Sequence, residues 1–595
     1  MSRIAKIAVA AALATGTAAA AGRPNVVLII TDDQGYGDLS CHGNPVLQTP
    51  NLDRLHSESV RLIDYHVAPT CSPTRAALLT GHWTNRTGAW HTSGGRSLLL
   101  ETEVTMGQVF LDAGYATGMF GKWHLGDNYP FRAEDRGFSE VMRHGGGGVG
   151  QTPDFWDNSY FDGTYFHNLE PEAVQGYCTD VWFDYAQRFI TAQKAAGKPF
   201  FAYVSTNAPH WPMHAPPEFA APYEERFGTH VGHFLGMIAN IDHNVGRLRT
   251  FLEREGLAEN TIFIFTTDNG TGQGHQVFNA GMRGRKQSEY DGGHRVPLFI
   301  HWPAGGLVGG RDVEPITAHV DILPTLIDLA QIAQPDGVQF DGRSIRPLLE
   351  GKASLADGSW PDRILVTDSQ RVLDPIKWRK SAVMTTRWRL VNGTELYDIK
   401  RDPKQENDVA GDQPGVVARL KAFYEAWWAE LEPTFRRVPA IHLGHAAENP
   451  VRLTSHDWIT AEGREPWNQS LVRKALEDSS STGYWNVQVV TAGDYEVRLR
   501  RWPEESDTAI DAPLPPGTDV PGDSPFRASP GKAVPAVKAS VRIGEARAET
   551  PVEAGAKEVT LRMTLPAGTA RMTAVFTTRD GGAVGAFYAY VRKVP

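Results

Sequence analysis

The chain has 595 residues, of which 41% are hydrophobic and 22% charged, which is too long for one ordinary domain and too balanced for a disordered chain. The net charge of -10 argues against nucleic acid as the main partner, because phosphate binding needs a basic surface, but it leaves room for a local cationic cluster around a small anion. With only 3 cysteines, Cys41, Cys71 and Cys178, no disulfide framework holds the fold.

Arg3 and Lys6 precede an Ala-rich apolar run that starts at Ile7 and ends in small residues between Ala18 and Ala21. This reads as a signal peptide over residues 1–22 and predicts export to the periplasm or beyond. The run is short and weakly hydrophobic for a membrane anchor, and no later segment is apolar enough to span a bilayer.

Residues 25–30 form a Val- and Ile-rich run suited to a strand buried on both faces, and the run ends in Thr31, Asp32 and Asp33. Shorter runs of the same kind cover 115–120, 200–204 and 296–302, and residues 261–265 lead into Thr266, Thr267, Asp268, Asn269 and Gly270. Ile238, Ile241, Val245, Leu248 and Leu252 recur at helical spacing, with Gly256 as a stop. Strands alternating with helices predict an α/β sheet covered on both faces, whose ligands gather at the carboxyl ends of the strands. Asp32-Asp33 and Asp268-Asn269 both fall at such ends, which points to one shared site.

The pattern changes near residue 364. Residues 382–391 and 395–399 read as short strands and 416–431 as an amphipathic helix, together a small sheet-plus-helix subdomain over 364–442. It changes again after His442. Residues 484–500 alternate, with a turn at Gly493-Asp494, a Pro- and Gly-rich stretch covers 512–535, and 537–543, 558–565, 571–577 and 586–591 read as strands. Short strands between turns predict a β-sandwich-like accessory domain over 443–595, behind an α/β catalytic domain over 23–363.

Cys71-Ser72-Pro73-Thr74-Arg75, continuing to Leu79-Thr80-Gly81, matches C-x-P-x-R followed by L-T-G, and Gly121-Lys122-Trp123-His124-Leu125-Gly126 follows the strand at 115–120. These segments resemble the two signatures of the type I sulfatases, in which a separate enzyme oxidises the cysteine to formylglycine. The resemblance runs in register from about Pro24 to Asp408. It implies an alkaline-phosphatase-like mixed sheet flanked by helices and does not cover the terminal β-domain.

The chemistry so implied follows from the residues. A hydrated aldehyde carries two hydroxyls on one carbon. One attacks sulfur, and the other then loses its proton to re-form the aldehyde and expel sulfate. Arg75 lies four residues after Cys71, on the same helical face, where it can hold those hydroxyls, and Pro73 suits the first turn. Lys122 and His124 share one side of an extended segment, the first a fixed cation for sulfate and the second a group that titrates near neutrality. Asp32, Asp33, Asp268 and Asn269 offer oxygen ligands alone, a set that selects Ca²⁺ or Mg²⁺, with Ca²⁺ the usual ion of the family and residue 71 a further ligand. His210, in Ala208-Pro209-His210, resembles the family's substrate-contacting histidine. Lys286, in Arg283-Gly284-Arg285-Lys286, would bind sulfate and join His210 in protonating the departing alcohol oxygen. Asp291 replaces the family's usual Glu before Gly292-Gly293, with His294 as a neighbour. If Cys71 is converted, Cys41 and Cys178 remain as candidates for a pair.

The expected activity is sulfate monoester hydrolysis, on a sulfated carbohydrate by family analogy, with the formylglycine-generating enzyme as maturation partner. The loop over 127–162, with Phe131, Phe155, Trp156 and Tyr160, is a candidate substrate rim, whereas Trp427-Trp428 reads as packing. A phosphonate monoesterase or phosphodiesterase of the same fold, and a glycan-binding protein with unmodified Cys71, are the rival readings.

Overall fold

The computed structural model describes residues 22–460, 465–475 and 482–595, so the expected signal peptide lies, apart from Gly22, outside the described residues. Ten strands form the central sheet. Its middle is five parallel strands, in the order Thr261–Thr267, Asn25–Thr31, Phe200–Ser205, Ala116–Gly121 and Glu140–Arg143. Leu298–His301 joins antiparallel to Thr261–Thr267, so the sheet is mixed, as expected.

The run at 25–30 shows why these segments became interior strands. Alternate side chains point to opposite faces, so a strand covered on both sides must be apolar at every position. Val26, Leu28 and Ile30 enter one core with Leu78, Leu79 and Leu323, while Val27 and Ile29 enter the other with Trp182, Ile238 and Ile241. The helical stripe from Ile238 to Leu252 is buried on the second face, within a Pro217–Arg254 segment that kinks at Gly228 (φ 75, ψ 170). Among the described residues no helix is long and apolar enough to cross a membrane.

Beyond the main sheet, Leu365–Asp368, Ser381–Met384, Trp388–Val391 and Glu395–Asp398 form a four-stranded antiparallel sheet, against which the helix Pro414–Leu431 packs. The single strand expected at 382–391 is two, because the Thr385 N–H donates to Trp388 O (2.9 Å) and turns the chain back. Trp427 and Trp428 are buried in this small core, and Trp427 meets Trp83 edge-on at 6.1 Å, so both residues pack as expected.

The terminal region has two facing sheets, one of six strands and one of four. Trp485–Val489 and Gly493–Arg500 alternate in burial as the sequence predicts, but Gly493 opens a strand instead of making a turn, and the two strands lie in different sheets. The strands Ile441–Leu443, Val451–Thr454 and Ala546–Pro551 were not evident in the sequence. Leu98, Phe131 and Trp156 from the first part of the chain enter the sandwich core, so the terminal sheets dock on the catalytic loops. Cys41 and Cys178 are both free thiols and do not pair.

Candidate active site

The parallel strands deliver three of the site's charged residues directly. Asp32 follows Thr31, Lys122 follows Gly121 and Asp268 follows Thr267, and the register sets Thr31 beside Thr267 and Gly121 beside Ser205. Backbone bonds extend the alignment past the strand ends: Asp268 N–H donates to Thr31 O (3.0 Å) and Lys122 N–H to Ser205 O (2.7 Å). The helix Cys71–Thr80 brings up Cys71 and Arg75, both buried.

Cations and carboxylates are paired within this interior. Lys122 Nζ lies 2.6 Å from Asp32, Lys286 Nζ 2.5 Å from Asp33, and Arg75 2.8 Å from Asp268. Arg75 also donates to Lys122 O (3.1 Å) and to the Ser205 hydroxyl. Its hydrogen-bond partners are therefore the carboxylate and the neighbouring strand ends, instead of the residue at 71 that helical spacing suggested. It braces the site, and Ser205, which had no motif to mark it, shares that task.

One set of polar atoms lacks protein partners. Among the described residues Asp32 Oδ1 and Asn269 Oδ1, both buried, have no hydrogen-bond partner, although buried acceptors are normally satisfied. The Asn269 amide donates to Asp33 Oδ1 (2.9 Å) and to Gly270 O (3.0 Å), which fixes the rotamer that leaves Oδ1 bare. Ligand atoms of Asp32, Cys71 and Asp268 lie within 4.8 Å of one another. Burial and the neighbouring Asp32 carboxylate push Asp268 up to about 6, and burial also raises Asp32 despite Lys122. Asp33 moves the other way, because Lys286 and His210 overcome its burial. Crowded carboxylates with bare oxygens and an oriented amide oxygen fit a hard cation.

Cys71, His124, His210 and Lys286 face a common cavity of about 180 Å³. His124 has left-handed backbone (φ 62), so the segment after the strand is not extended as expected. Its Nε2 meets Thr92 O at 2.8 Å and must carry the proton, which leaves Nδ1 buried and unpartnered. Burial and Lys122 hold the ring far below neutrality, so His124 is a neutral acceptor, contrary to the expected near-neutral titration. Likewise, Nδ1 of His210 donates to Trp211 O (2.7 Å), and burial with Lys286 pushes its pKa down to about 3. The Cys71 thiol is raised, chiefly by burial.

Other expected neighbours point elsewhere. Asp291 accepts from Arg389 (2.9 Å), and His294 contacts His66 (Nδ1 to Nδ1, 2.9 Å) in a buried network behind the cavity. Phe131, Trp156 and Tyr160 are buried packing residues, so the expected aromatic rim is not formed by them, though Gln151 from that loop does line the cavity. Thr92, Ser93, Gln287, Arg371 and Trp467 complete the lining. None lies in a recognisable motif, and Trp467 arrives from the terminal β-region.

The chain is similar to known proteins in family model, sequence and fold. The Sulfatase family model matches residues 24–332, and the model for the C-terminal region of N-sulphoglucosamine sulphohydrolase matches 284–422. Arylsulfatase A of Homo sapiens is 31% identical over 464 residues, covering 69% of this chain and 88% of that protein. N-acetylgalactosamine-6-sulfatase of Canis lupus familiaris is 31% identical over 371 residues, covering 58% and 69%. Ps i-CgsB, solved in complex with k-i-k-neocarrahexaose, superposes with a TM-score of 0.62 at 25% identity, over 68% of this chain and 92% of that one.

Proposed function

The chain belongs to the sulfatase family and is a sulfuric ester hydrolase, and from that premise we propose that it removes sulfate from a sulfated carbohydrate at the cavity around residue 71, with that cysteine converted to formylglycine and a divalent cation held beside it. The observation that carries this reading is the meeting of Cys71 with three carboxylate–cation pairs and two bare acceptors, Asp32 Oδ1 and Asn269 Oδ1.

Asp32, Asp33, Asp268 and Asn269 would hold the cation, Ca²⁺ by family habit with Mg²⁺ equally compatible with oxygen ligands, and it would supply Lewis-acid polarisation of the bound ester. Formylglycine would supply, as its hydrate, a nucleophilic hydroxyl and a second hydroxyl able to expel sulfate. The chain's own residues do the rest. Arg75 holds Asp268 in place through Nε and Nη2. Lys122 and Lys286 present ammonium groups to an anion, which spherical –NH₃⁺ donors suit. His124 offers Nδ1 as a proton acceptor. His210 donates Nδ1–H to Trp211 O, which leaves Nε2 as the atom free to take up a proton and pass it on. A bound sulfate favours the imidazolium, the form that can protonate the departing alcohol oxygen. The carbohydrate assignment draws support from the sugar-directed relatives and from Trp467 at the cavity wall. Export is the compartment proposed, with a formylglycine-generating enzyme acting during maturation.

The test is the mass of tryptic peptide 62–75 from protein made in its native host, followed by assay on p-nitrophenyl sulfate. Conversion removes about 18 Da. A converted peptide with turnover that Cys71→Ala abolishes is the expected result. An unconverted peptide, or turnover that survives the substitution, overturns the proposal.

A further inference from the structure

Beside the sulfate cavity lies a second one of about 230 Å³, lined by His91, Arg96, Arg371, Trp458, Ile459 and Glu465 among others. Ser93 and Arg371 line both cavities, so the two adjoin along one wall. Each alone is below the usual size of a ligand pocket, about 300–1,000 Å³, and joined they enter that range.

The wall charges distinguish this cavity from a chance dent. Two buried arginines near the site are paired, Arg75 with Asp268 and Arg389 with Asp64 and Asp291. Among the described residues Arg371 has no ion pair, and its Nε is buried without a hydrogen-bond partner. Arg96 Nη1 is bare in the same way, while its Nε donates to Leu373 O (2.8 Å) and its guanidinium sits 5.4 Å from the Trp90 ring. A buried guanidinium donor without an acceptor is costly unless a ligand supplies one. The acid facing this cavity is Glu465, which is buried; burial raises it, while a hydrogen bond with Ser93 and the charges of His456 and Arg371 oppose that rise, and among the described residues it forms no ion pair with Arg371. His91 accepts the Thr92 N–H at Nδ1 (2.7 Å) and is held neutral by burial.

We propose that this cavity is a second anion-binding subsite, in which Arg371, assisted by Arg96, holds a sulfate or carboxylate carried by the sugar unit next to the one being desulfated. The proposal rests on the sulfatase reading of the adjoining cavity. It makes the enzyme selective for substrates with at least two anionic groups on neighbouring units. It also gives the terminal β-region a role in recognition, because Trp458, Ile459 and Glu465 build one wall of the subsite and Trp467 reaches the sulfate cavity. Arg371 would be a specificity residue: a planar fork matches a carboxylate or sulfate edge in a way that Lys does not.

The experiment is calorimetric binding to full-length Cys71→Ala protein, which blocks turnover. The probes are a monosulfated N-acetylhexosamine, the disaccharide joining it to a uronate, and the disaccharide with a second sulfate in place of that carboxylate. At least one dianionic probe should bind about tenfold more tightly or better than the monosulfated sugar, and adding Arg371→Ala should bring the ratio close to one. Arg371→Lys, which keeps the charge and guards against a folding failure in the alanine variant, should retain part of the preference. Absence of preference in the parent, or a preference unchanged in both Arg371 variants, overturns the subsite. Wild-type turnover of p-nitrophenyl sulfate reports separately on the sulfatase reading, so each can fail without the other.

Discussion

Replacing Arg389 with Met should destabilise the fold and weaken the active site together. Arg389 is fully buried on the strand Trp388–Val391 of the small sheet. It donates to Asp291 (2.9 Å), to Asp64 (2.7 Å) and to Thr385 O, and lies 3.2 Å from His66 Nε2. Met fills much of the same volume but leaves two buried carboxylates without their cation. Breaking a buried pair in this way costs about 3–5 kcal/mol, a large part of a typical total of about 5–15. The loss should also depend on pH. Although burial alone would raise Asp64 and Asp291, Arg389 holds both below the ordinary carboxylate value of about 3.9. Their contribution is therefore complete above about pH 4 and disappears as pH falls through the lower folded-state values, so wild type and variant should converge in acid. Asp291 opens a turn whose Gly292 N–H donates to Arg283 O (2.9 Å) and whose Gly293 O accepts from Gly270 N (2.9 Å), so the segment that carries Lys286 should loosen and kcat/KM should fall. The assay is guanidinium unfolding at pH 7 and pH 3.5 with parallel sulfatase kinetics, and Arg389→Met/Asp291→Asn should recover at least about 1 kcal/mol. A loss below about 1 kcal/mol at pH 7, or one that grows in acid, would refute the reasoning.

Two further outcomes follow from the site. Dialysis against a chelator should lower the melting temperature and abolish turnover, and Ca²⁺ or Mg²⁺ at about 100 times its dissociation constant should restore about 2.7 kcal/mol. Asp268→Asn should blunt that response, and identical melting with and without chelator would remove the cation from the account. Gly121 has φ 112, and a Cβ there would lie 1.9 Å from Ser205 O, so Gly121→Ala must shift the strand end that carries Lys122. A cost of about 1–3 kcal/mol with reduced turnover is expected, and normal melting with normal turnover would show that the strand end is not so constrained.

The catalytic part of the fold was legible because its strands are buried on both faces. That environment forces unbroken apolar runs such as 25–30, and the polar residues that interrupt them, Asp32 and Asp268, mark where the sheet opens to the site. The two runs lie far apart in sequence, yet Thr31 pairs with Thr267, so similar strand ends were a sound guide to proximity. Side-chain direction was less legible. Helical spacing put Arg75 near Cys71 but could not show that its donors are taken by Asp268, Lys122 O and Ser205. An extended backbone assumed for His124 missed its left-handed conformation, and a textual match to a family segment could not show Asp291 turned back toward Arg389. Arg371 and Trp467 had no local signal at all. Their role depends on where two later parts of the chain dock, and docking is decided by surfaces that no single segment encodes.

The charge balance explains why the cation matters for binding as well as for chemistry. Asp32, Asp33 and Asp268 are matched one for one by Lys122, Lys286 and Arg75, so the interior as built is close to neutral and each ammonium or guanidinium field is largely cancelled by its partner. A neutral buried site has little reason to strip an anionic sulfate of its water. The same carboxylates that cancel the cations also crowd one another, and that repulsion adds to burial in raising Asp32 and Asp268. A divalent cation held by Asp32, Asp33, Asp268 and Asn269 would relieve that crowding and leave the cavity with an excess of positive charge. Lys122 and Lys286 could then act on sulfate while still held in place by Asp32 and Asp33. On this view the carboxylates position the lysines, the cation would make the cavity attractive to anions, and Arg371, which forms no ion pair among the described residues, would extend that attraction toward the neighbouring unit of the substrate.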